Sequence, residues 1–124
     1  MPAIAIIGAG PGLGLSIARK FGQNGYGTAL IARDSAKLDA LVTELTGEGI
    51  AAASFVADAA EPVALAGALD AARERFGSID VLEFSPHGGN ASSMVDPVDV
   101  TVENLRPAVD ALLFGAVAAV QAVL

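Results

Sequence analysis

Short apolar runs alternate with longer amphipathic segments along the first two thirds of the chain. The runs are rich in alanine and β-branched residues and end at glycine or polar residues, which is typical of strands buried on both faces of a sheet. This pattern predicts four strands, over residues 3–7, 28–32, 50–56 and 79–84. Strands that alternate with helices at this spacing predict a parallel sheet with right-handed crossovers.

The segments between the strands carry apolar residues at helical spacing. A first helix is predicted over residues 12–24, with an apolar face formed by Leu13, Ile17, Ala18 and Phe21. A second helix is predicted to be capped by Ser35 and to bury Leu38, Leu41, Val42 and Leu45. A third is predicted to begin at Pro62, to end at Gly77 and to bury Leu65, Leu69, Ala72 and Phe76.

The last third of the chain is predicted to be a polar loop over residues 85–98, a short helix over 101–106 and a long apolar helix from about Ala108. Two neighbouring apolar stripes run along the long helix: Leu113, Val117, Val120 and Leu124, and beside them Leu112, Ala116, Ala119 and Val123. A helix that is apolar on more than one face is expected to pack against the sheet and against a second subunit. The alternative is burial within its own complete subunit.

The first predicted strand runs directly into a glycine-rich turn. The spacing G-x-G-x-x-G fails there because its third glycine falls on Leu13, whereas G-x-x-x-G-x-G fits on Gly8, Gly12 and Gly14. A strand, a glycine turn and a helix in this order hold a dinucleotide pyrophosphate at the helix N-terminus. The candidate cofactor-binding residues of the turn are Gly8, Gly10, Pro11, Gly12, Leu13 and Gly14. The alternative is a glycine-rich strand-to-helix turn that binds no ligand.

The predicted fold is a Rossmann-type doubly wound parallel sheet of the α/β class, with three α/β/α layers and the strand order 3-2-1-4. A single domain over residues 1–124 accounts for the whole chain. The cofactor is expected to lie across the C-terminal ends of the strands.

Several motifs in this order resemble the short-chain dehydrogenase/reductase family. Besides the glycine turn they are Ala32-Arg33-Asp34, Val56-Ala57-Asp58, Ile79-Asp80-Val81-Leu82 and the apolar helix over residues 113–124. The resemblance covers the whole chain. It implies an NAD(P)-dependent oxidoreductase that transfers hydride between nicotinamide and a carbonyl or alcohol substrate, assembled as a homo-dimer or homo-tetramer through the long helix.

The family's catalytic tyrosine and lysine lie four residues apart, downstream of the long helix. The only tyrosine here is Tyr26, Leu30 stands four residues after it, and the only lysines are Lys20 and Lys37. The chain is therefore expected to be the N-terminal, cofactor-binding part of a longer protein, inactive alone and structurally incomplete. Its catalytic residues stay unassigned.

Two further motifs are interpreted as cofactor contacts. Arg33 follows the second strand, where an arginine suits a 2′-phosphate and an acidic residue would suit a ribose hydroxyl, so NADP(H) is preferred over NAD(H). By resemblance, Asp58 would accept a hydrogen bond from the adenine amino group, with the Ala59 backbone nearby. The alternatives are a solvated loop charge for Arg33 and a helix cap for Asp58.

After the fourth strand the sequence departs from the family. Where the family has Asn-Asn-Ala-Gly, this chain has Phe84-Ser85-Pro86-His87, followed by Gly88 and Gly89. Ser85 and Pro86 stay cofactor-binding candidates, because the backbone can still pass the nicotinamide ribose. His87 is either an acid or substrate contact or a loop histidine without chemistry.

Two more positions near this strand depart from expectation. Glu83, inside a buried strand, is either paired structurally or placed near the site. Leu112 stands where the family often has an asparagine.

Charge and composition limit the classes of molecule that the chain is expected to bind. A net charge of −7 argues against a nucleic-acid surface, and the chain has no cysteine. No metal cluster is visible. The longest apolar stretch, over residues 111–124, is too short to span a bilayer, which predicts a cytoplasmic protein without a membrane segment.

A non-catalytic NAD(P)-binding or sensor protein is the alternative function. A methyltransferase is less compatible with Arg33, because it would use an acidic residue there.

Overall fold

The computed structural model describes residues 1–87 and 94–124. The strands are β1 (Ala3–Ile7), β2 (Gly27–Ala32), β3 (Ala52–Val56) and β4 (Val81–Phe84). The helices between them are α1 (Leu13–Gly22), α2 (Ser35–Gly47) and α3 (Pro62–Phe76). A 3₁₀ turn, Pro97–Asp99, precedes α4 (Val102–Ala108), a π-helical segment (Val109–Phe114) and α5 (Gly115–Val123).

The four described strands form one parallel sheet in the order β3-β2-β1-β4, as predicted. Every residue of β1 is buried, because this strand lies between β2 and β4 and is covered on both faces. One face packs on α1 and α2, and the other packs on α3 and α5. Because the strands are parallel, the C-terminal ends of all four described strands lie at the same edge of the sheet.

Two details at the helix starts correct the prediction. Leu13 was expected on the buried face of α1, but it is 66% exposed in the first turn and Leu15 is buried instead. Asp34, rather than Ser35, caps α2: its carboxylate accepts a hydrogen bond from the backbone N–H of Lys37. Ser35 is the first helical residue, one position too late for the cap.

The last part of the chain is one continuous helix, Val102–Val123, where two helices were expected. The chain passes through Pro107 and the π-helical segment without a break. Its inward side is made of small residues, Ala111, Gly115 and Ala119, while Leu113, Val117 and Val120 are about half exposed. The large residues of the first predicted stripe therefore face outward, since small residues allow the helix to approach the sheet more closely.

This helix is longer than the sequence indicated. By length and composition alone it could cross a membrane, so the expectation that it is too short does not hold. It also packs on α3 in the described fold, and the Arg73 guanidinium donates a hydrogen bond to the carbonyl oxygen of Ala122 at 2.8 Å. The core helix of a globular domain passes the same test of length and composition.

Candidate functional site

The glycine turn after β1 lies in backbone contact with the loop after β4. Gly8 has φ +88°, a conformation that favours glycine. A Cβ at this position would lie 2.5 Å from the Cα of Pro86. The N–H groups of Gly8 and Ala9 both donate to the carbonyl oxygen of Ile31, at 2.8 and 3.2 Å. Gly8 thus joins the ends of three neighbouring strands.

The other glycines of the turn have different surroundings. A Cβ on Gly14 would lie 3.0 Å from the Cα of Ala9 and 3.5 Å from Cγ2 of Ile6, so this glycine lets α1 lie close to β1. Gly10 and Gly12 would meet no atom within 4 Å. Gly12 is at the N-terminus of α1, where no side chain accepts a capping hydrogen bond. The open space beside the turn has room for phosphate groups at the N-terminus of α1.

A cavity of about 520 Å³ opens at the C-terminal edge of the sheet. Its volume lies in the range of small-molecule and cofactor sites. The turn supplies residues 7–11, the end of β2 supplies residues 32–34 with Lys37, and the end of β3 supplies residues 57–60. The fourth side is formed by Pro86 and His87 and by Pro107, Asp110 and Ala111 of the last helix.

The structure brings together most of the residues predicted to bind the cofactor. Those that line the cavity are Gly8, Gly10, Pro11, Arg33, Asp58, Ala59 and Pro86. Gly12, Leu13, Gly14 and Ser85 do not line it. Gly14 is a buried residue of the first turn of α1. The N–H of Ser85 donates to the carbonyl oxygen of Ile7 at 2.9 Å, extending the sheet. Gly88 and Gly89 lie outside the described residues.

The cavity residues missed by sequence reasoning include Lys37, Pro107, Asp110 and Ala111. Lys37 could have been found, because it lies in the first turn of the helix that starts directly after Arg33 and Asp34. Pro107, Asp110 and Ala111 gave no signal, since their place depends on how the last helix packs. Gly115 sets that packing, because a Cβ there would lie 2.5 Å from the carbonyl oxygen of Ala59.

The two charged residues after β2 have different surroundings. Arg33 is exposed, and it forms no ion pair with another residue in the described ranges. The Asp34 carboxylate accepts from the backbone N–H of Lys37 at 3.1 Å, so one of its oxygens is engaged in capping α2. The cationic group at this rim is therefore freer to meet a ligand than the adjacent anionic group.

Asp58 does not cap α3, whose N-cap residue is Glu61. Its Oδ1 instead accepts from the N–H of Ala60 at 2.9 Å, within the loop that follows β3. This local hydrogen bond orients the carboxylate beside the cavity. The capping alternative for Asp58 is therefore wrong.

The candidates His87 and Glu83, and the single tyrosine Tyr26, occupy separate places. His87 is exposed and lines the cavity. Glu83 pairs in register with Ile6 and does not line the cavity, and its Oε2 is buried without a hydrogen-bond partner among the described residues. Tyr26 packs edge-to-face against Phe21, with ring centroids 5.0 Å apart, and does not line the cavity.

The model of the family described as "short chain dehydrogenase" matches residues 2–124, almost the whole chain. The chain belongs to this family. A ketoacyl reductase assigned to the granaticin polyketide synthase of Streptomyces violaceoruber is 36% identical over 109 residues. That alignment covers 84% of this chain and 40% of the relative. This short-chain dehydrogenase sequence thus spans less than half of that relative's length.

Solved structures agree with the family's fold. A 3-oxoacyl-[acyl-carrier protein] reductase from Brucella melitensis is 31% identical with a TM-score of 0.86, covering 98% of this chain and 48% of that one. A variant of the actinorhodin polyketide ketoreductase, solved with NADPH, is 27% identical with a TM-score of 0.81, covering 98% and 46%. Membership of this family excludes the methyltransferase interpretation.

Proposed function

We propose that this chain is the NADP(H)-binding part of a short-chain oxidoreductase that acts on a small carbonyl or alcohol substrate. The observation that carries the proposal is the cavity at the strand ends, which is bordered by an open glycine turn, Arg33 and Asp58. Related proteins named as reductases, one of them solved with NADPH, support the same function. They favour an enzyme over the non-catalytic sensor.

The residues around the cavity fit a dinucleotide. The turn at Gly10 and Gly12 leaves room for a pyrophosphate at the start of α1. Asp58 would accept a hydrogen bond from the adenine amino group, with the Ala59 backbone beside it. Pro86 and His87 would border the nicotinamide ribose on the opposite side. The nicotinamide ring, when bound, supplies or accepts the hydride.

The preference for NADP(H) over NAD(H) rests on the end of β2. Arg33 is free to pair with a 2′-phosphate, whereas Asp34, the acidic group that could bind a ribose hydroxyl, is engaged as the helix cap. A guanidinium presents a planar fork that suits two phosphate oxygens. The charge at this rim therefore favours the phosphorylated cofactor.

Proton transfer is assigned to residues outside these 124. The family's tyrosine and lysine pair is not in the sequence, and Tyr26 does not line the cavity. The relatives' greater length supports a catalytic segment beyond the matched region. His87 and Asp110 are the titratable groups on the side of the described cavity that Pro86 borders, and the role of His87 as a substrate contact stays a prediction.

Two further properties are part of the proposal. The exposed apolar side of the last helix favours a homo-dimer or homo-tetramer, because the large residues Leu113, Val117 and Val120 face outward. The cytoplasmic location without a membrane segment stays a prediction from sequence.

Titration of the purified protein with NADPH and NADH tests the proposed cofactor site. Arg33→Ala is expected to weaken NADPH binding about ten- to a hundredfold, since hydrogen bonds to charged groups contribute about 1.5–3 kcal/mol, and to leave NADH binding unchanged. Equal affinities for both cofactors, unaffected by the substitution, would remove Arg33 from this role.

A pair of variants tests the glycine turn. Gly10→Val and Gly12→Val place a side chain into the open space beside the turn and are expected to abolish binding of both cofactors. Circular dichroism checks that each variant is folded. A folded variant that still binds NADPH with wild-type affinity would contradict the glycine-turn argument.

A further inference from the structure

We propose that Asn24 is a site of spontaneous covalent modification, whose side-chain amide converts to a carboxylate at a rate set by the turn between α1 and β2. Asn24 and Gly25 form the only Asn-Gly step in the sequence, and both residues are exposed. No residue in the range 21–26 lines the cavity at the strand ends. The inference therefore concerns another part of the molecule and does not depend on the proposed function.

The reaction consumes only water. The backbone nitrogen of Gly25 attacks Cγ of Asn24, the Cγ–Nδ2 bond breaks, and ammonia leaves with the proton of the attacking nitrogen. Water then opens the five-membered succinimide ring. Attack of water at Cγ gives an aspartate side chain, and attack at the main-chain carbonyl carbon gives isoaspartate, which adds one atom to the main chain. Glycine favours the first step, because no Cβ crowds the attacking nitrogen.

Two hydrogen bonds engage both reacting groups in the folded turn. The Gly25 N–H donates to the carbonyl oxygen of Gly22 at 3.1 Å, which occupies the attacking nitrogen. Nδ2 of Asn24 donates to the carbonyl oxygen of Lys20 at 2.8 Å, which occupies the leaving group. The reaction therefore requires the turn to open.

A Schellman motif and an aromatic contact close this turn. The Tyr26 N–H donates to the carbonyl oxygen of Phe21 at 3.2 Å, and this bond together with that of Gly25 forms the pair typical of the motif. Gly25 has the left-handed φ of +88° that the motif requires. The rings of Phe21 and Tyr26 pack edge-to-face with their centroids 5.0 Å apart. The aromatic pair therefore limits how often the turn opens, and through it the rate at Asn24.

Conversion of Asn24 is expected to weaken the end of α1. A carboxylate cannot donate a hydrogen bond to the carbonyl oxygen of Lys20, and a negative charge is unfavourable at a helix C-terminus. Asn24→Asp copies one of the two products. This variant is expected to lower the melting temperature by about 4 °C.

Incubation of the purified protein at pH 8, followed by peptide mapping in a mass spectrometer, tests the site. A converted residue gains the mass difference between water and ammonia. Asn24 is expected to convert to a mixture of aspartate and isoaspartate. Asn104 is the internal control and should stay unmodified, because the bulky Leu105 follows it. Asn24→Gln should remove the signal, since its longer side chain would have to close a six-membered ring.

Tyr26→Ala tests the role of the turn. It is expected to accelerate conversion of Asn24 about two- to tenfold, since an aromatic pair contributes about 0.5–1.5 kcal/mol. Tyr26→Leu keeps an apolar contact and should give a smaller acceleration. Asp34→Ala, which removes the cap of α2, is the stability control. It should leave the rate unchanged, because the opening that exposes Asn24 is local.

Three results would overturn the inference. The first is an Asn24 that stays unmodified in the folded protein over a period in which urea-unfolded protein converts. The second is a rate that neither variant of Tyr26 changes. The third is equal acceleration by Tyr26→Ala and Asp34→Ala, which would show that the reaction follows unfolding of the whole protein and not opening of the turn.

Discussion

Gly8 connects the two loops that border the cavity. Its left-handed conformation turns the chain after β1, and the missing side chain lets the backbone of Ser85 and Pro86 come into contact. The sequence motif assigns a glycine to this position for the tight turn. The close approach of the loop after β4 adds a second reason, which depends on tertiary structure.

Gly8→Ala is expected to destabilise the protein by about 3 kcal/mol or more. The left-handed conformation accounts for about 1–2 kcal/mol, and the clash of the new Cβ with Pro86 adds the rest. Gly25→Ala is the matched control, because Gly25 has the same φ of +88° and open space around it. Urea unfolding of both variants measures the difference. Equal losses would show that the contact with Pro86 contributes nothing.

Asp34 and Ser35 differ by one position and have different roles. Asp34→Ala is expected to lower the free energy of unfolding by about 1 kcal/mol, because it removes the cap of α2. Ser35→Ala should be nearly neutral, since Ser35 is already helical. Thermal unfolding compares the two. If Asp34→Ala instead weakens NADH binding and leaves stability unchanged, the carboxylate contacts the ribose rather than the helix.

At the scale of elements, the strands and the first three helices follow from the sequence. Apolar runs bounded by glycine located β1 to β4, and Leu65, Leu69, Ala72 and Phe76 are all buried on α3 as predicted. Local patterns suffice here, because each of these elements is bounded by its own turn residues. The glycine turn, Arg33 and Asp58 were found for the same reason.

The last helix could not be predicted in the same way. Nothing in the local pattern marks the π-helical segment. The short helix predicted over residues 101–106 in fact continues through Pro107. Its buried side depends on how closely it approaches Ala59, which favours glycine and alanine over larger residues. Asp110 and Ala111 were missed at the cavity because they belong to this packing.

Gly115→Ala tests how closely α5 approaches the loop after β3. Alanine favours a helix over glycine by about 1 kcal/mol, but the added Cβ would lie 2.5 Å from the carbonyl oxygen of Ala59. Overpacking against backbone costs about 1–3 kcal/mol, so the variant should be less stable and should bind cofactor more weakly. Gly67→Ala in α3 is the control: it meets no atom within 4 Å and should stabilise. Stabilisation by both would contradict the packing argument.

At the scale of the whole molecule, Asp80 connects the beginning of the sheet to its end. Its carboxylate accepts hydrogen bonds from the Ser78 hydroxyl at 2.7 Å and from the Ala3 N–H at 2.9 Å. The hydrogen bond from Ser78 makes the largest contribution to lowering the pKa of Asp80 below its ordinary value, and the hydrogen bond from Ala3 makes the next largest. A lowered folded-state pKa stabilises the fold above the unfolded pKa, and that stability is lost as the pH falls.

Asp80→Asn is therefore expected to reduce the acid sensitivity of the protein. The unmodified protein should lose this contribution progressively below about pH 4, close to the pKa of an unfolded aspartate. The variant should be less stable at pH 7 but show a shallower fall between pH 5 and pH 3. Urea midpoints across this range measure the slope. Identical slopes for both proteins would remove Asp80 from the pH dependence.

The outer side of the continuous last helix, Val102–Val123, is expected to mediate association between copies of the chain. The inward side of this helix is occupied by Ala111, Gly115 and Ala119, which leaves the large residues Leu113, Val117 and Val120 half exposed. Each such residue would gain about 1.5–3 kcal/mol from full burial, less for the part already covered.

The double variant Val117→Lys and Val120→Lys should shift the purified protein towards monomers in sedimentation equilibrium. Val63→Lys, on the exposed start of α3, is the control and should leave the mass unchanged. A monomeric unmodified protein, or a dimer that both variants leave intact, would place any partner surface elsewhere.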